Sequence, residues 1–315
     1  RMLVLVIAAT GAIYHFLPIV HRWTVDYSGT VEFDFNQNWS SRFSSGMQLN
    51  ARQRRTTSSN GEGLVANNLN LVSSAAVTTA AEGFSEQTSL GFYVQEEVGW
   101  RDRVFGTVAL RFDDNSALGS DFSMVVYPKA SLSWMLSEED FFNISMFDQL
   151  KLRFAWGKAG NAPGPFEADR TYTTGNTVLD DAVVNLLFPS SYGNPDLKAE
   201  EGSEWETGFD ASIWNGRAGF EFTYYNQHTK DALILVPDPG STGFTGNHLV
   251  NIGEIKNSGL ELLLTGTPIY SRNFAWDVNL SIATLANELV SFNGVRDEVV
   301  FGSFADVQRH REGYP

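Results

Sequence analysis

Glu204, Glu206 and Asp210 fall at alternate positions of one stretch, so an extended chain presents all three carboxylates on the same face. Paired carboxylates on one face are the chemistry of a glycosidase acid and base. They are equally the chemistry of a wetted polar wall. Asp180-Asp181 and Glu138-Glu139-Asp140 are further acidic groups, in connecting segments, and they lack the ligand spacing of a cation loop. The histidines, His15, His21, His228, His248 and His310, are scattered without a metal-binding interval. Cysteine is absent, which excludes a disulfide, a thiolate zinc site and a cysteine nucleophile. Gly157-Lys158 lacks the Walker glycine because Leu152 stands in its place, and neither a GxGxxG nor a Gly-x-Ser-x-Gly elbow occurs. The chain therefore reads as a non-enzyme with no implied cofactor or metal, and its carboxylates as wall.

Ligand contacts are expected in the longest irregular stretch, residues 160–198, rich in Gly, Pro, Thr, Asn and Asp. Arg170, Tyr172, Asp180, Asp181 and Tyr192 are the candidates there, since aromatic rings beside hydrogen-bonding groups suit a sugar or a peptide. Arg52, Arg54 and Arg55 form a small basic cluster, placed either against lipid phosphates or in a solvated turn.

The element that positions these groups is best seen in residues 194–226. Asn194-Pro195-Asp196 is a rigid opening. Trp205, Thr207, Phe209, Ala211 and Ile213 then alternate with Glu204, Glu206, Gly208, Asp210 and Ser212. Asn215-Gly216 predicts a two-residue type I′ turn, because both central residues need positive φ. Ala218, Phe220, Phe222 and Tyr224 return against Glu221, Thr223, Tyr225 and Gln227. Trp205, Phe209 and Ile213 are expected to meet lipid. The same alternation recurs from Val25 to Phe35, from Gln87 to Trp100, from Val126 to Leu136, from Leu150 to Trp156 and from Phe274 to Ile282. Glu96 breaks one apolar face, and Pro128 predicts an edge position or bulge. Residues 54–86, 231–253 and 288–315 have no steady period and read as loops.

The chain has 315 residues and a net charge of −15, without the basic footprint of a nucleic-acid binder. Aromatic residues reach 13% and charged residues only 19%, while mean hydropathy stays slightly below zero. Strands with one lipid face and one wet face average out in this way. Residues 3–13 are too short for a membrane helix and read as a strand or a signal-like core. Short connections (36–38, 101–103, 137–147, 215–217, 268–273) alternate with longer ones, which puts tight turns at one end of a meander and large loops at the other. Tryptophans 100, 134, 156, 214 and 276 gather near strand ends, as an interfacial girdle would place them. The expected fold is all-β: an antiparallel up-and-down transmembrane β-barrel, partial, of about 10 strands. A secreted or surface β-protein that binds carbohydrate through its long loops is the alternative.

NPDLKAE at 194–200, followed by Glu204 and Gly208, resembles the NPxLKxE…E.G pattern of TonB-dependent outer-membrane receptors. The segments at 85–122, 127–134 (YPKASLSW), 150–163, 251–269 and 311–315 (REGYP) resemble the SusC/RagA branch. The resemblance implies a segment of a presumed 22-stranded barrel, lacking the plug and the last strands. It also implies energy from the TonB-ExbB-ExbD complex through the missing plug, a SusD-like surface lipoprotein partner, and glycan or peptide cargo in a Gram-negative outer membrane. In this division residues 1–21 are unassigned, 22–287 are barrel, and 288–315 are an extracellular loop.

Overall fold

Period-two alternation of Phe, Trp, Leu and Val with Ser, Thr, Glu and Asn favours extended backbone that is apolar on one side only. In the computed structural model, which describes residues 4–8, 11–64, 66, 68–119, 124–238, 241, 246–294, 298–301 and 308–315, nearly all of it becomes strand. The strands are β1 (Val4–Ala8), β2 (Ala12–Asn36), β3 (Trp39–Leu64), β4 (Ala75–Trp100), β5 (Val104–Asn115), β6 (Val125–Met135), β7 (Phe147–Asn161) and β8 (Thr171–Leu179). They continue as β9 (Ala182–Ser191), β10 (Glu200–Ile213), β11 (Ala218–Pro237), β12 (Asn247–Tyr270), β13 (Ala275–Ala283), β14 (Ala286–Ser291), β15 (Glu298–Phe301) and β16 (Gln308–Arg311). Twelve of them form one sheet, ordered β1-β2-β3-β4-β5-β6-β7-β10-β11-β12-β13, with β14 also on β12; β8-β9 and β15-β16 are separate hairpins. Every pairing with a described register is antiparallel.

Residues 1–26 with 48–90 form one compact unit, and residues 27–47 with 91–315 a second. In the first, β1 pairs with β2 from Val4↔Phe16 to Ala8↔Ala12. Thr24 Oγ1 donates to Asn50 Oδ1 at 3.0 Å, Gln53 Nε2 donates to Glu86 Oε2 at 3.3 Å, and the Arg55 guanidinium lies 5.4 Å from the centre of the Phe84 ring. Residues 54–86 are thus mostly strand and not loop. Their Ser, Thr, Gly and Asn content gives no alternation because many of these residues are exposed on either face.

In the second unit the register aligns the apolar faces into rows. Val104, Trp134, Leu152, Phe209, Phe222, Leu262 and Ile282 stand opposite one another across seven consecutive strands of the sheet. The next row toward the long loops holds Gly106, Leu132, Phe154, Thr207, Tyr224 and Leu260. Phe209 and Phe222 have ring centroids 5.7 Å apart, and Trp205 and Tyr224 5.2 Å. These side chains project from the sheet: Phe154, Leu260, Leu280 and Ile282 are all exposed. A soluble sheet buries such a face, so a solvent of hydrocarbon is what this one fits.

Tryptophan marks both borders of the band. Trp39 and Trp100, 6.4 Å apart, stand at the tight-turn end with Trp134, Trp214 and Trp276, while Trp156 pairs with Trp205 further up. Trp205 and Trp214 are nine positions apart, ~30 Å along a strand, or ~23 Å of height at a usual barrel tilt. An apolar band is ~25 Å tall in such barrels. Two positions past Trp156, charge appears: Lys158 pairs with Glu201, and His228 Nε2 lies 2.6 Å from Glu254 Oε1.

Several expectations need correction. Ile213 is buried, with Phe147 and Ala218 as its strand partners at the turn, and so does not meet lipid. The turn after it, residues 214–217, has Asn215 and Gly216 both at positive φ with the Arg217 N–H donating to the Trp214 carbonyl at 3.4 Å, as the Asn-Gly pair predicts, and Trp214 is left-handed as well. The same signature recurs at Arg101-Asp102 and Asp180-Asp181, each pair left-handed. Residues 231–253 are mainly β11 and β12, and residues 288–315 supply β14, β15 and β16. Around these last strands Ile234, Val236, Ile252, Leu289, Phe292 and Val299 form a buried hydrophobic cluster. Pro128 sits in an edge-like position as expected, with a partner strand on one side only, because the β6-β7 ladder begins at Lys129. Glu96 has a partner on its face, the buried Ser41 hydroxyl, which donates to its carboxylate.

Leu262 and Leu263 are neighbours on opposite faces. Within the full-length receptor in bilayers, Leu262→Arg is expected to destabilise by ~2–4 kcal/mol and Leu263→Arg by less than ~1 kcal/mol, read by reversible chemical unfolding.

Candidate functional site

Three parts of the second unit carry polar chemistry: the face opposite the apolar band, the NPDLK segment, and the β8-β9 hairpin.

On the polar face, Glu204, Glu206, Gly208 and Asp210 sit opposite Gly157, Ala155, Arg153 and Lys151 of β7. Asp210 bridges Lys151 Nζ at 2.9 Å and Arg153 Nη2 at 2.7 Å, and that guanidinium also donates to Thr223 Oγ1 at 3.2 Å. Asn257 Nδ2 donates to Gln227 Oε1 at 3.0 Å, and Asn287 donates in turn to Asn257. A cleft of about 400 Å³ opens beside Glu204 and Glu206, with Thr107, Lys129 and Ser131 on its wall. Asp210 is therefore a salt-bridged wall group and not the partner of a free catalytic acid. The Glu138-Glu139-Asp140 connector is likewise structural, since Glu139 accepts from Trp134 Nε1 at 3.0 Å and from Arg103 Nη1 at 3.4 Å. Among the described residues, no group of three His, Asp or Glu side chains is placed to hold a metal ion.

The NPDLK segment is a clasp. Asn194 Oδ1 accepts from the Asp196 N–H at 3.1 Å, and its carbonyl accepts from the Leu197 N–H at 3.0 Å. Pro195 fixes φ between them. Leu197 is then driven fully inside, at 0% exposure, while its carbonyl accepts from the Gly119 N–H at 2.9 Å. A Cβ on Gly119 would run into the Pro195 carbonyl oxygen, so the close approach requires glycine. Asn251 completes the lock: its Oδ1 accepts from the Lys198 N–H at 3.1 Å, and its amide donates to the carbonyls of Lys198 and Asp231, each at 2.9 Å. Glu200 Oε1 accepts from the Leu233 N–H at 2.7 Å, filling the gap that the β11 bulge leaves in its ladder with β12.

The hairpin corrects the irregular reading of residues 160–198. β8 and β9 pair from Thr171↔Ser191 to Leu179↔Ala182 and, among the described residues, join no other strand. The hairpin is apolar without a covering layer: Tyr172, Val178, Leu179, Val183, Leu186, Leu187 and Phe188 are all exposed. An isolated two-stranded hairpin is at best marginally stable in water. Of the candidate ligand contacts, Arg170 and Tyr192 meet at the hairpin base, with the guanidinium 5.2 Å from the ring centre. Tyr172 lies beside them on β8, opposite Pro189. Asp180 and Asp181 form the exposed tip, eight and nine positions along from Tyr172, roughly 25 Å away in extended chain. The structure thus gathers three of the five and separates the acidic pair.

Sequence reasoning missed Asn251, whose only signal was its place in NIGEIKNSG. It also missed the pairing of Lys151 and Arg153 with Asp210, although all three stood on polar faces of adjacent strands.

This architecture defines a class, the wall of an antiparallel β-barrel with tight turns at one end and long loops at the other. The family model described as TonB dependent receptor-like, beta-barrel, matches residues 8–310. The chain belongs to that family. TonB-dependent receptor P26 of Formosa agariphila is 32% identical over 206 residues, covering 65% of this chain and 21% of that protein. TonB-dependent receptor SusC of Bacteroides thetaiotaomicron is 27% identical over 246 residues, covering 73% and 24%. The chain thus spans about a fifth to a quarter of the length of these relatives. In fold it is similar to the RagAB peptide transporter, with a TM-score of 0.79 at 21% identity over 96% of this chain and 33% of that one. It is also similar to the outer-membrane transporter YddB of Escherichia coli, with a TM-score of 0.60 at 16% identity over 89% and 35%.

Asn251→Ala removes three hydrogen bonds and leaves their backbone partners unsatisfied, each worth ~1–3 kcal/mol when buried. Amide exchange at Gly119, Lys198 and Leu233 is expected to speed up about 10–100-fold while Phe209 and Phe222 keep their protection, as hydrogen-exchange mass spectrometry reads it.

Proposed function

We propose that this chain is wall and outer loops of an active importer for glycans or oligopeptides, working in the outer membrane of a Gram-negative bacterium. The observation that carries the reading is the seven-strand apolar row backed by a charged, hydrogen-bonded face. One face suits lipid and the other a watery lumen. In this reading the tight turns are periplasmic and the long loops extracellular. Residues 22–287 are wall, joined by the part of β2 that begins at Ala12, and 288–315 belong to an outer loop. The Lys151-Arg153-Asp210 face lines the lumen against a plug domain of the whole receptor. Through that plug the TonB-ExbB-ExbD complex would supply energy.

The bare apolar hairpin supports a protein partner on the outside, and a SusD-like lipoprotein closing over the loops is the partner proposed. Its cover would supply the layer that β8-β9 lacks. Arg170, Tyr172 and Tyr192 at the hairpin base are the cargo contacts in this scheme, with Asp180 and Asp181 at the tip presented to partner or cargo. The RagAB relative is a peptide transporter by its description, and oligopeptides are one of the two cargo classes retained. A secreted carbohydrate-binding protein is disfavoured, because it would have to leave the seven-strand row in water.

Deleting residues 171–191 from the full-length receptor is expected to abolish growth on the cargo and co-purification of the lipoprotein, while heat-modifiable migration of the folded barrel remains. Normal uptake after the deletion would remove the hairpin from the mechanism.

A further inference from the structure

The apolar band has a dent at its tight-turn border. In the row nearest the β10-β11 turn, Ala218 and Gly266 stand where the row above carries Phe220 and Leu264. The result is a groove of about 590 Å³ on the band, with Trp214, Phe220, Leu264 and Leu280 among its walls. That volume lies within the range of small-molecule sites. Nothing in the backbone forces the dent, since a Cβ on Gly266 would meet only the Arg217 carbonyl oxygen, at 3.6 Å. Larger side chains fit there and are not used.

Charge sits at the groove's mouth. Arg217 lines it, is exposed, and has no carboxylate partner among the described residues. Trp214, 65% exposed beside it, stands at the membrane border in the girdle of the tight-turn end. An apolar slot that opens on hydrocarbon, with a planar cation where hydrocarbon gives way to water, matches one molecule end to end. The slot takes an acyl chain, and the guanidinium takes the phosphodiester bidentately, most favourably in a net-anionic headgroup that brings no ammonium beside it.

We infer that the Trp214-Arg217-Gly266 groove binds an anionic glycerophospholipid of the periplasmic leaflet. This rests on the membrane orientation proposed above. The groove extends the lipid-facing surface of the same strands, so lipid is the medium already in contact with it. Lipid A belongs to the opposite leaflet in that orientation.

The test uses the full-length receptor with native mass spectrometry, titrating phosphatidylglycerol, phosphatidylethanolamine of the same chains, and lipid A. The wild type is expected to retain phosphatidylglycerol in preference to the other two. Arg217→Gln should lower phosphatidylglycerol affinity about tenfold, to the level of phosphatidylethanolamine. Arg217→Lys should keep part of the preference. Gly266→Leu, which fills the slot on a face where leucine is native, should weaken retention of both phospholipids. Equal phosphatidylglycerol binding by the wild type, Arg217→Gln and Gly266→Leu overturns the inference, and so does a preference for lipid A. Heat-modifiable migration and cargo uptake are read on the same samples. A receptor that folds and transports without lipid preference removes the groove alone, whereas one that does not enter bilayers removes the importer reading.

Discussion

The structure depends on the register between neighbouring strands. A one-residue slip anywhere would turn a strand's apolar side chains to the wet face and its carboxylates to the other. Register therefore has to be held by features stronger than the alternation itself. Trp156 against Trp205, Phe209 against Phe222, and the Lys151-Arg153-Asp210 bridge fix it within the sheet. The Asn194–Lys198 clasp fixes it at the rim, where the β11 bulge would otherwise leave the ladder loose. In hydrocarbon an unpaired N–H or C=O costs several kcal/mol, so continuous pairing and correct register are one requirement.

That requirement also sorts the chemistry. A strand with one face in lipid has only alternate positions left for polar groups, and those meet the polar groups of the next strand. Ion pairs and amide ladders follow on one side of the sheet, and an almost unbroken apolar surface on the other. Only the connections are free of that alternation. Those at the tight-turn end are short and pinned, as when the Gly216 N–H donates to Asp148 Oδ2 at 2.9 Å. Those at the other end are long enough to hold a hairpin of their own.

Much of this was legible from residue order. The alternating faces of residues 204–213 and 218–227, the sorting of short and long connections and the tryptophan positions all led to a membrane wall. What stayed hidden had physical causes. Many of the Ser, Thr, Gly and Asn residues in 54–64 and 75–86 are exposed on either face, so these stretches are extended without any period to reveal it. The β8-β9 hairpin hides because Thr and Gly in β8 oppose Val, Leu and Phe in β9, so neither strand alternates cleanly. Ile213 keeps the parity of Trp205 and Phe209 and is nevertheless buried, because local turn packing overrides parity at a strand's last residue. Of the candidate ligand residues, Arg170 and Tyr192 were grouped by loop membership alone, and only the hairpin's pairing shows that they meet while Asp180 and Asp181 lie far off.

The central claim is that one face of the β10-β11 pair meets hydrocarbon and the other meets water. Nitroxide labels placed singly from 204 to 210 and from 220 to 225 in the full-length receptor in bilayers, scored for collision with oxygen and with a water-soluble nickel chelate, test it directly. The expected result is strict alternation, with oxygen dominating at 205, 207, 209, 220, 222 and 224 and the nickel chelate at the positions between. Nickel-chelate access at both parities, or no alternation at all, would contradict it.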